Sequence, residues 1–412
     1  MNVLFLSLEN FKSINESNLY TDILRQFTRN DHFVYSVSPI ERRYKEKTEL
    51  ICEGNSKILR LQIGNIQKTN LIEKGFSTLA IEHQYIKGIK KFFSDVKFDL
   101  ILYVTPPITF CKVIEYIKKR DRAFAYLMLK DIFPQNAVDL NFLKKTGPLS
   151  VIYKYFRGKE EKLYILSDKI GCMSPANVDY VIYNNPKVQM EKLEVCPNGI
   201  EIFDKSVDKE IKQTIRKKYN LPIDKVIFVY GGNLGKPQDI PFIIECLKSQ
   251  KNNTKVYFLI VGDGTEYAVL ESYLKKKEQK NFKLIKRLPK EDYDILVGAC
   301  DVGMLFLDHR FTIPNFPSRL LSYMQAKLPV LACTDCNTDV GKIAEDGKFG
   351  WWCESNHVSN FEETIGKVLH SDLVQMGNNA MKYLQENYSD KIVYTTIVDT
   401  YKKIKNNELL KG

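Results

Sequence analysis

Apolar runs alternate with helical stretches along the whole chain. In the second half, VIFVYGG (226–232), VYFLIVG (256–262), VGMLFL (302–307) and PVLA (329–332) each predict a strand buried on both faces. Between them, apolar positions recur at helical spacing over 239–249, 266–279, 291–299, 317–327 and 338–346. The first half repeats this grammar, with strands expected at 3–7, 32–37, 58–64, 99–105, 124–129 and 169–174. Helices fall between these strands, for example over 76–94 and 109–119. Strands alternating with amphipathic helices predict an α/β protein with doubly wound parallel sheets. The Pro-Asn-Gly break in LEVCPNGIE (193–201) places the crossing between two domains near 186–203. We therefore expect domains over 1–190 and 191–387, then a long amphipathic helix from Tyr388 to about Lys405.

Length and composition narrow the class. A chain of 412 residues is too long for one compact core, which agrees with two domains. No apolar run approaches the ~20 residues that span a bilayer. The start, MNVLFLSLENFKS, has no basic n-region and reads as a first strand, so a cytoplasmic protein is expected. Nine cysteines, odd in number and scattered through predicted elements, fit packing thiols in a reducing compartment. The C-x-x-C at Cys333 and Cys336 has no second ligand pair at zinc-site spacing. A net charge of +11 calls for an anionic partner: a phosphorylated substrate or a membrane surface, since no nucleic-acid module is present.

Three loops carry the chemistry. Gly231-Gly232-Asn233-Leu234-Gly235-Lys236 follows the first strand of the second half, where glycines let backbone N–H groups approach a phosphate and Lys236 adds charge. Gly262-Asp263-Gly264 follows the next strand. Pro317-Ser318-Arg319 opens a later helix, whose N-terminus, hydroxyl and guanidinium suit an anion. On successive strand ends these loops fit the diphosphate of a nucleotide. Neither glycine loop reads G-x-G-x-x-G with an acidic residue about 20 further on, which disfavours a dinucleotide-dependent oxidoreductase.

The stretches LKDIFPQNAVDL (129–140), IGCMSPANVDYV (170–181), YGGNLGKPQDI, VGDGTE, RFTIPNFPSRLLSYMQAKLPVLA and DGKFGWWCES resemble family 4 of the retaining nucleotide-sugar glycosyltransferases. The likeness is to the bacterial branch that builds capsules and O-antigens, and it runs over essentially the whole chain. It implies a GT-B fold: two Rossmann-like domains facing a cleft, the acceptor on the first and the donor on the second, with helix 388–412 returning to the first domain. It also implies transfer of a hexosyl or N-acetylhexosaminyl group from a nucleoside-diphosphate sugar, a UDP-sugar by expectation, to a lipid-linked saccharide. No metal or other cofactor is expected. The sole D-x-D, Asp292-Tyr293-Asp294, sits at a helix start, where acidic residues complement the dipole.

The chain departs from the family where many members carry Glu-x7-Glu: Pro314 and Ser322 stand there, and Asn233 and Gln238 replace an Arg and a Lys. Capsule-branch variants supply the missing cation at the later helix start, which is Ser318-Arg319 here. The catalytic candidates are thus Lys130, Asp131, Lys236 and Arg319, with Lys130-Asp131 matching a family His-Asp. The donor-binding candidates are Gly232, Asn233, Gly235, Gly262, Asp263, Arg287, Leu288, Asn315, Ser318 and Ser322, with Arg287 and Leu288 at a strand end beside the nucleobase. Asp131 equally suits a turn carboxylate, and the polar loop Ser13–Asn18 suits either an acceptor contact or a helix cap. With both carboxylates of Glu-x7-Glu gone, the alternative is a non-catalytic binding or regulatory partner of a heteromeric transferase.

Residues 142–169 interleave Lys144, Lys145, Lys154, Arg157, Lys159 and Lys162 with Phe142, Ile152, Tyr153, Tyr155 and Phe156, at helical spacing from about Leu149. Such a stretch fits a helix lying on the inner face of the cell membrane, or one whose aromatics pack into the core beneath solvated cations.

Overall fold

The computed structural model describes residues 1–67, 69–148, 150–275 and 281–410. It divides into two compact units, residues 1–201 with 389–412, and residues 202–388.

The first unit is built on β1 (Asn2–Leu6), β2 (Phe33–Glu41), β3 (Glu49–Glu53), β4 (Ser56–Ile63), β5 (Leu100–Thr105), β6 (Phe124–Leu129), β7 (Lys169–Cys172) and β8 (Leu193–Val195). Their order is β3-β4-β2-β1-β5-β6-β7-β8, parallel throughout except for the antiparallel β3–β4 hairpin. Its connections hold α1 (Leu19–Arg29), α2 (Leu71–Phe92), α3 (Cys111–Asp121), α4 (Gln135–Asp139), α5 (Ser150–Leu166) and α6 (Pro175–Asn184). The central strands are buried end to end, as the apolar runs require.

The second unit has β9 (Val226–Asn233), β10 (Val256–Asp263), β11 (Phe282–Ile285), β12 (Val302–Phe306), β13 (Val330–Thr334) and β14 (Gly350–Glu354). These form an all-parallel sheet in the order β11-β10-β9-β12-β13-β14. Its helices are α7 (Lys209–Lys218), α8 (Ile240–Ser249), α9 (Tyr267–Lys275), α10 (Lys290–Gly298), α11 (Arg319–Gln325), α12 (Val340–Asp346), α13 (Val358–Val368) and α14 (Leu373–Asn387). Phe258 stacks between Phe228 and Phe282 in its core, with ring centroids 5.2 and 5.7 Å away.

The last helix, α15 (Asp390–Leu409), packs on α1 of the first unit. Gln26 of α1 donates to Asp390 at 2.6 Å, and Tyr394 meets Phe27 edge-on. Gly199 leaves no room for a side chain beside the Ser389 carbonyl oxygen, 2.8 Å from where a Cβ would stand, so the chain returns flush against its own crossing segment.

Two expected boundaries move. β8 pairs with β7 through Ile170–Leu193 and Cys172–Val195, which carries the first unit past 190 to Glu201. The helix expected over 266–279 is described as α9, and 276–279 lie outside the described residues. Leu149, where the basic amphipathic stretch was expected to turn helical, is also outside them.

Candidate functional site

The loop after β9 lies in register with the end of β10, Gly232 opposite Gly262 and Asn233 opposite Asp263. Most glycines here are required by packing. A Cβ on Gly262 would stand 2.0 Å from the Gly232 carbonyl oxygen, and one on Gly264 2.3 Å from that of Leu234. A Cβ on Gly231 would fall 1.7 Å from the Tyr293 hydroxyl. Gly232 is different. It is exposed, its φ is +127°, and the vacant Cβ position lies 3.4 Å from the Arg319 guanidinium carbon. Of the glycines expected to cradle phosphate, Gly262 therefore serves strand packing, while Gly232 lies directly against a cation.

Arg319 opens α11, a helix of seven residues with Ser318 at its N-cap making no capping bond. The helix begins two residues after the expected Pro317, because Pro317 and Ser318 precede its first turn. Its short dipole is a weak attractor, so the anion-binding capacity rests on the guanidinium. That group lies over the Tyr230 ring, 4.5 Å from its centroid. Its Nη1 is sealed from solvent without a hydrogen-bond partner. No carboxylate reaches ion-pair distance of it among the described residues. Tyr230, Tyr293 and Tyr323 surround it: burial opposes the charge, but the tyrosine oxygens outweigh burial and raise its pKa above the ordinary arginine value. The tyrosines are themselves fixed. Tyr230 donates to the Asn233 carbonyl at 2.7 Å, and Tyr323 accepts from the Gly231 N–H at 3.0 Å and donates to the Met304 carbonyl at 3.2 Å. A desolvated guanidinium with no counter-charge is costly unless an anion completes it. Sequence reading missed this cage; the signal was Tyr at apolar positions 230 and 323, flanking a glycine loop and a short helix.

The remaining candidates in this unit sit around the same strand ends. Asn233 and the Gly235 N–H both donate to Gln238 Oε1 at 3.1 Å, so the two residues standing where relatives carry cations instead brace the loop. Lys236 is exposed at the start of the next turn. Asp263 accepts from the Gly264 N–H at 2.9 Å. Arg287 and Leu288 lie past the end of β11 at Ile285, in the loop to α10 rather than at a strand end, because the ladder stops where Ile285 pairs with Val261. The Asn315 N–H donates to Thr338 at 3.0 Å and its side chain to the Ile313 carbonyl at 3.2 Å. Ser318 is exposed, and Ser322 is half-buried in the first turn of α11.

Asp294 and Asp292 pair with Lys205 and Lys218 at 2.7 and 3.9 Å, the bearing of structural carboxylates. One metal-capable group occurs among the described residues: Asp239, Asp308 and His309, with ligand atoms within 4.8 Å of one another. Arg310 already occupies both oxygens of Asp308. A pocket of about 440 Å³ lined by Asp239, Phe242, Glu245 and His309 contains none of the expected donor residues. We place the chemistry at Arg319 instead, because the pocket offers an anion no cation that is left without a carboxylate. Cys333 faces Cys353, Sγ to Sγ 3.3 Å, and Cys336 is exposed, so the C-x-x-C does not converge.

In the first unit, Lys130 and Asp131 follow β6. Lys130 donates to the Pro197 carbonyl at 3.2 Å, and burial lowers its pKa to about 8. Asp131 accepts from Asn136 Nδ2 at 2.9 and 2.8 Å, tying the loop to the first turn of α4; burial pushes its pKa up to about 6. The Ser13–Asn18 loop is a cap: Asn18 accepts from the N–H groups of Tyr20 and Thr21, and Ser13 donates to Glu53 at 3.0 Å.

Residues 211–387 match the glycosyl transferases group 1 family. The second unit is a domain of that family. WbjE of Pseudomonas aeruginosa, named as a glycosyltransferase, is 26% identical over 272 residues, 65% of this chain and 65% of that protein. WcaI of Escherichia coli K12, named for colanic acid biosynthesis, is 26% identical over 183 residues, 43% of each chain. The chain thus aligns with less than two thirds of these relatives' own length. Among solved structures, sucrose-phosphate synthase from Thermosynechococcus elongatus superposes with a TM-score of 0.75 at 13% identity, covering 98% of this chain and 99% of that one. Anabaena HepE in complex with UDP gives 0.68 at 14% identity, covering 98% and 100%. WaaG, a glycosyltransferase of lipopolysaccharide biosynthesis, gives 0.65 at 13%, covering 96% and 99%. These likenesses establish the GT-B fold.

Proposed function

We propose that this protein is a retaining glycosyltransferase of bacterial surface-polysaccharide synthesis, moving a sugar from a nucleoside-diphosphate sugar to a saccharide acceptor. The observation that carries the proposal is Arg319: a caged guanidinium against the exposed Gly232, with no carboxylate at ion-pair distance among the described residues. A diphosphate there completes the cation, and the planar fork takes two phosphate oxygens at once. UDP is the first nucleotide to try, because HepE, a structural neighbour, was solved with it.

In such a transfer the diphosphate leaves on the face that the acceptor hydroxyl attacks. The protein's main task is then to stabilise charge building on the leaving phosphate with donors already in place. Arg319 does this, with the Gly232 backbone and Lys236 at the same loop. No metal is needed in this design, since fixed positive charge takes its role. Lys130 and Asp131, at the end of β6, serve the acceptor by orienting sugar hydroxyls through hydrogen bonds. The acceptor is a lipid-linked saccharide in this reading, and transfer takes place on the cytoplasmic side.

The test is a panel of nucleotide sugars followed for hydrolysis and for binding. UDP-sugar turnover that falls with Arg319→Ala supports the proposal. Binding with no turnover in the presence of any acceptor would favour a regulatory partner, and no nucleotide binding at all refutes the donor site.

A further inference from the structure

In the first unit, α2 and α5 flank α3 on one face of the sheet, and one carboxylate ties all three. Glu82 of α2 accepts from the Lys112 N–H in the first turn of α3, and from Lys159 of α5 at 2.8 and 2.9 Å. Cys111 of α3 donates to the Lys159 carbonyl at 3.4 Å. The tie lies where α3 begins but well inside the other two helices, nine residues from Ser150 in α5 and eleven from Leu71 in α2. Helices that cross over a parallel sheet run the same way, so the first halves of α2 and α5 extend together past the start of α3, by about 15 Å at 1.5 Å per residue. They point to the end of the sheet where the strands finish, the end at which Lys130 and Asp131 stand.

These protruding halves are apolar outward. Phe76 and Leu79 of α2 are 73% and 54% exposed, and Val151 and Ile152 of α5 are 69% and 46% exposed. Tyr155, also exposed, adjoins Lys159 of the tie, and the exposed Phe142 precedes α5. Farther along α5 the side chains turn inward: Phe156, half-buried, packs on Phe133 at 5.1 Å, and Leu163 and Tyr164 are buried. The cations divide in the same way. Arg157, Lys159 and Lys162 are paired with Glu160, Glu82 and Glu115. Lys74, Lys144, Lys145 and Lys154 are exposed with no carboxylate partner among the described residues. Residues 140–159 contain no Asp or Glu.

We propose that this face docks the first unit on an anionic lipid bilayer, with Val151, Ile152, Tyr155, Phe76 and Leu79 entering the headgroup–acyl boundary and the free lysines on lipid phosphates. Charge complementarity selects this occupant: Glu73 of α2 is held by Arg42, so the face's charges outside ion pairs are the lysines, which repel a second copy of it and match an anionic surface. No helix among the described residues is long and apolar enough to cross a membrane, so attachment is by the face. The proposal needs no transfer activity, so it stands or falls apart from the donor site.

The test is flotation of the full chain with vesicles of phosphatidylcholine, alone and mixed with phosphatidylglycerol. The protein should float only with phosphatidylglycerol and be released by salt. Each near-surface cation is worth about fivefold in partition, so Lys144→Glu/Lys145→Glu/Lys154→Glu should weaken binding at least about a hundredfold. Val151→Ser/Ile152→Ser/Tyr155→Ser should abolish it, with circular dichroism unchanged. Lys402→Glu/Lys403→Glu, on α15 away from this face, should leave it intact. Binding lost equally in that control, binding retained in the other variants, no flotation of the parent, or a serine variant that merely dissociates an oligomer each overturns the proposal.

Discussion

Replacing Arg319 separates a ligand-binding arginine from a structural one, because only the structural role predicts a large loss of stability. The side chain contributes a cation–π contact with Tyr230, worth about 0.5–2 kcal/mol. Against this stands the buried Nη1 without a partner, which costs about 1–3 kcal/mol. The net runs from about 2.5 kcal/mol in favour of Arg319→Ala to about 1 kcal/mol against it, so the unfolding midpoint of a unit this size should fall by no more than about 4 °C. Donor binding should respond quite differently. Losing a prepositioned charge on a developing phosphate costs about 2–4 kcal/mol, or about 30- to 1,000-fold in kcat/KM for a UDP-sugar. Arg319→Lys keeps charge but loses the fork, and should recover only part of this. Calorimetric titration with UDP and a thermal melt on the same samples decide the matter. Unchanged UDP affinity refutes the site. A melt that collapses by far more than 4 °C refutes the ledger and makes Arg319 a structural residue.

Gly231→Ala should cost about 1–3 kcal/mol in urea unfolding, since its Cβ lands on the Tyr293 ring, and adding Tyr293→Ala should restore part of the loss; strict additivity would show that the ring is not the obstacle. Activity should survive EDTA, and full loss rescued by Mg²⁺ would instead implicate Asp239, Asp308 and His309. For Asp131 the folded pKa of about 6 lies above the unfolded value near 3.9, so the folded state binds more protons between them and stability falls as pH rises through that window. Asp131→Asn should therefore gain more over the parent at pH 7 than at pH 4, and a gain independent of pH would contradict the burial of that carboxyl.

The sequence by itself determined the doubly wound class, because strands buried on both faces must be written as unbroken apolar runs. The runs at 3–7, 99–105, 124–129, 226–232 and 256–262 are all central strands. It was silent on β3, β8 and β14 and put the end of β11 too late, all four being edge strands, where half-solvated positions break the pattern. It pointed to Arg319 through the guanidinium together with a helix N-terminus, and of these α11 is too short to supply much dipole. Only the tertiary structure brings Tyr230 of β9 and Tyr293 of α10 to that guanidinium beside Tyr323 of its own helix. It alone shows that Gly262 is small for the sake of Gly232's carbonyl rather than for a phosphate. The same holds for α5. Its sequence offered apolar and basic residues at helical spacing, and the pattern fitted a core helix as well as a surface one. Which turns are covered depends on where α3 begins beside it, a juxtaposition marked by the buried Glu82 of α2, which binds both helices and which no local pattern encodes.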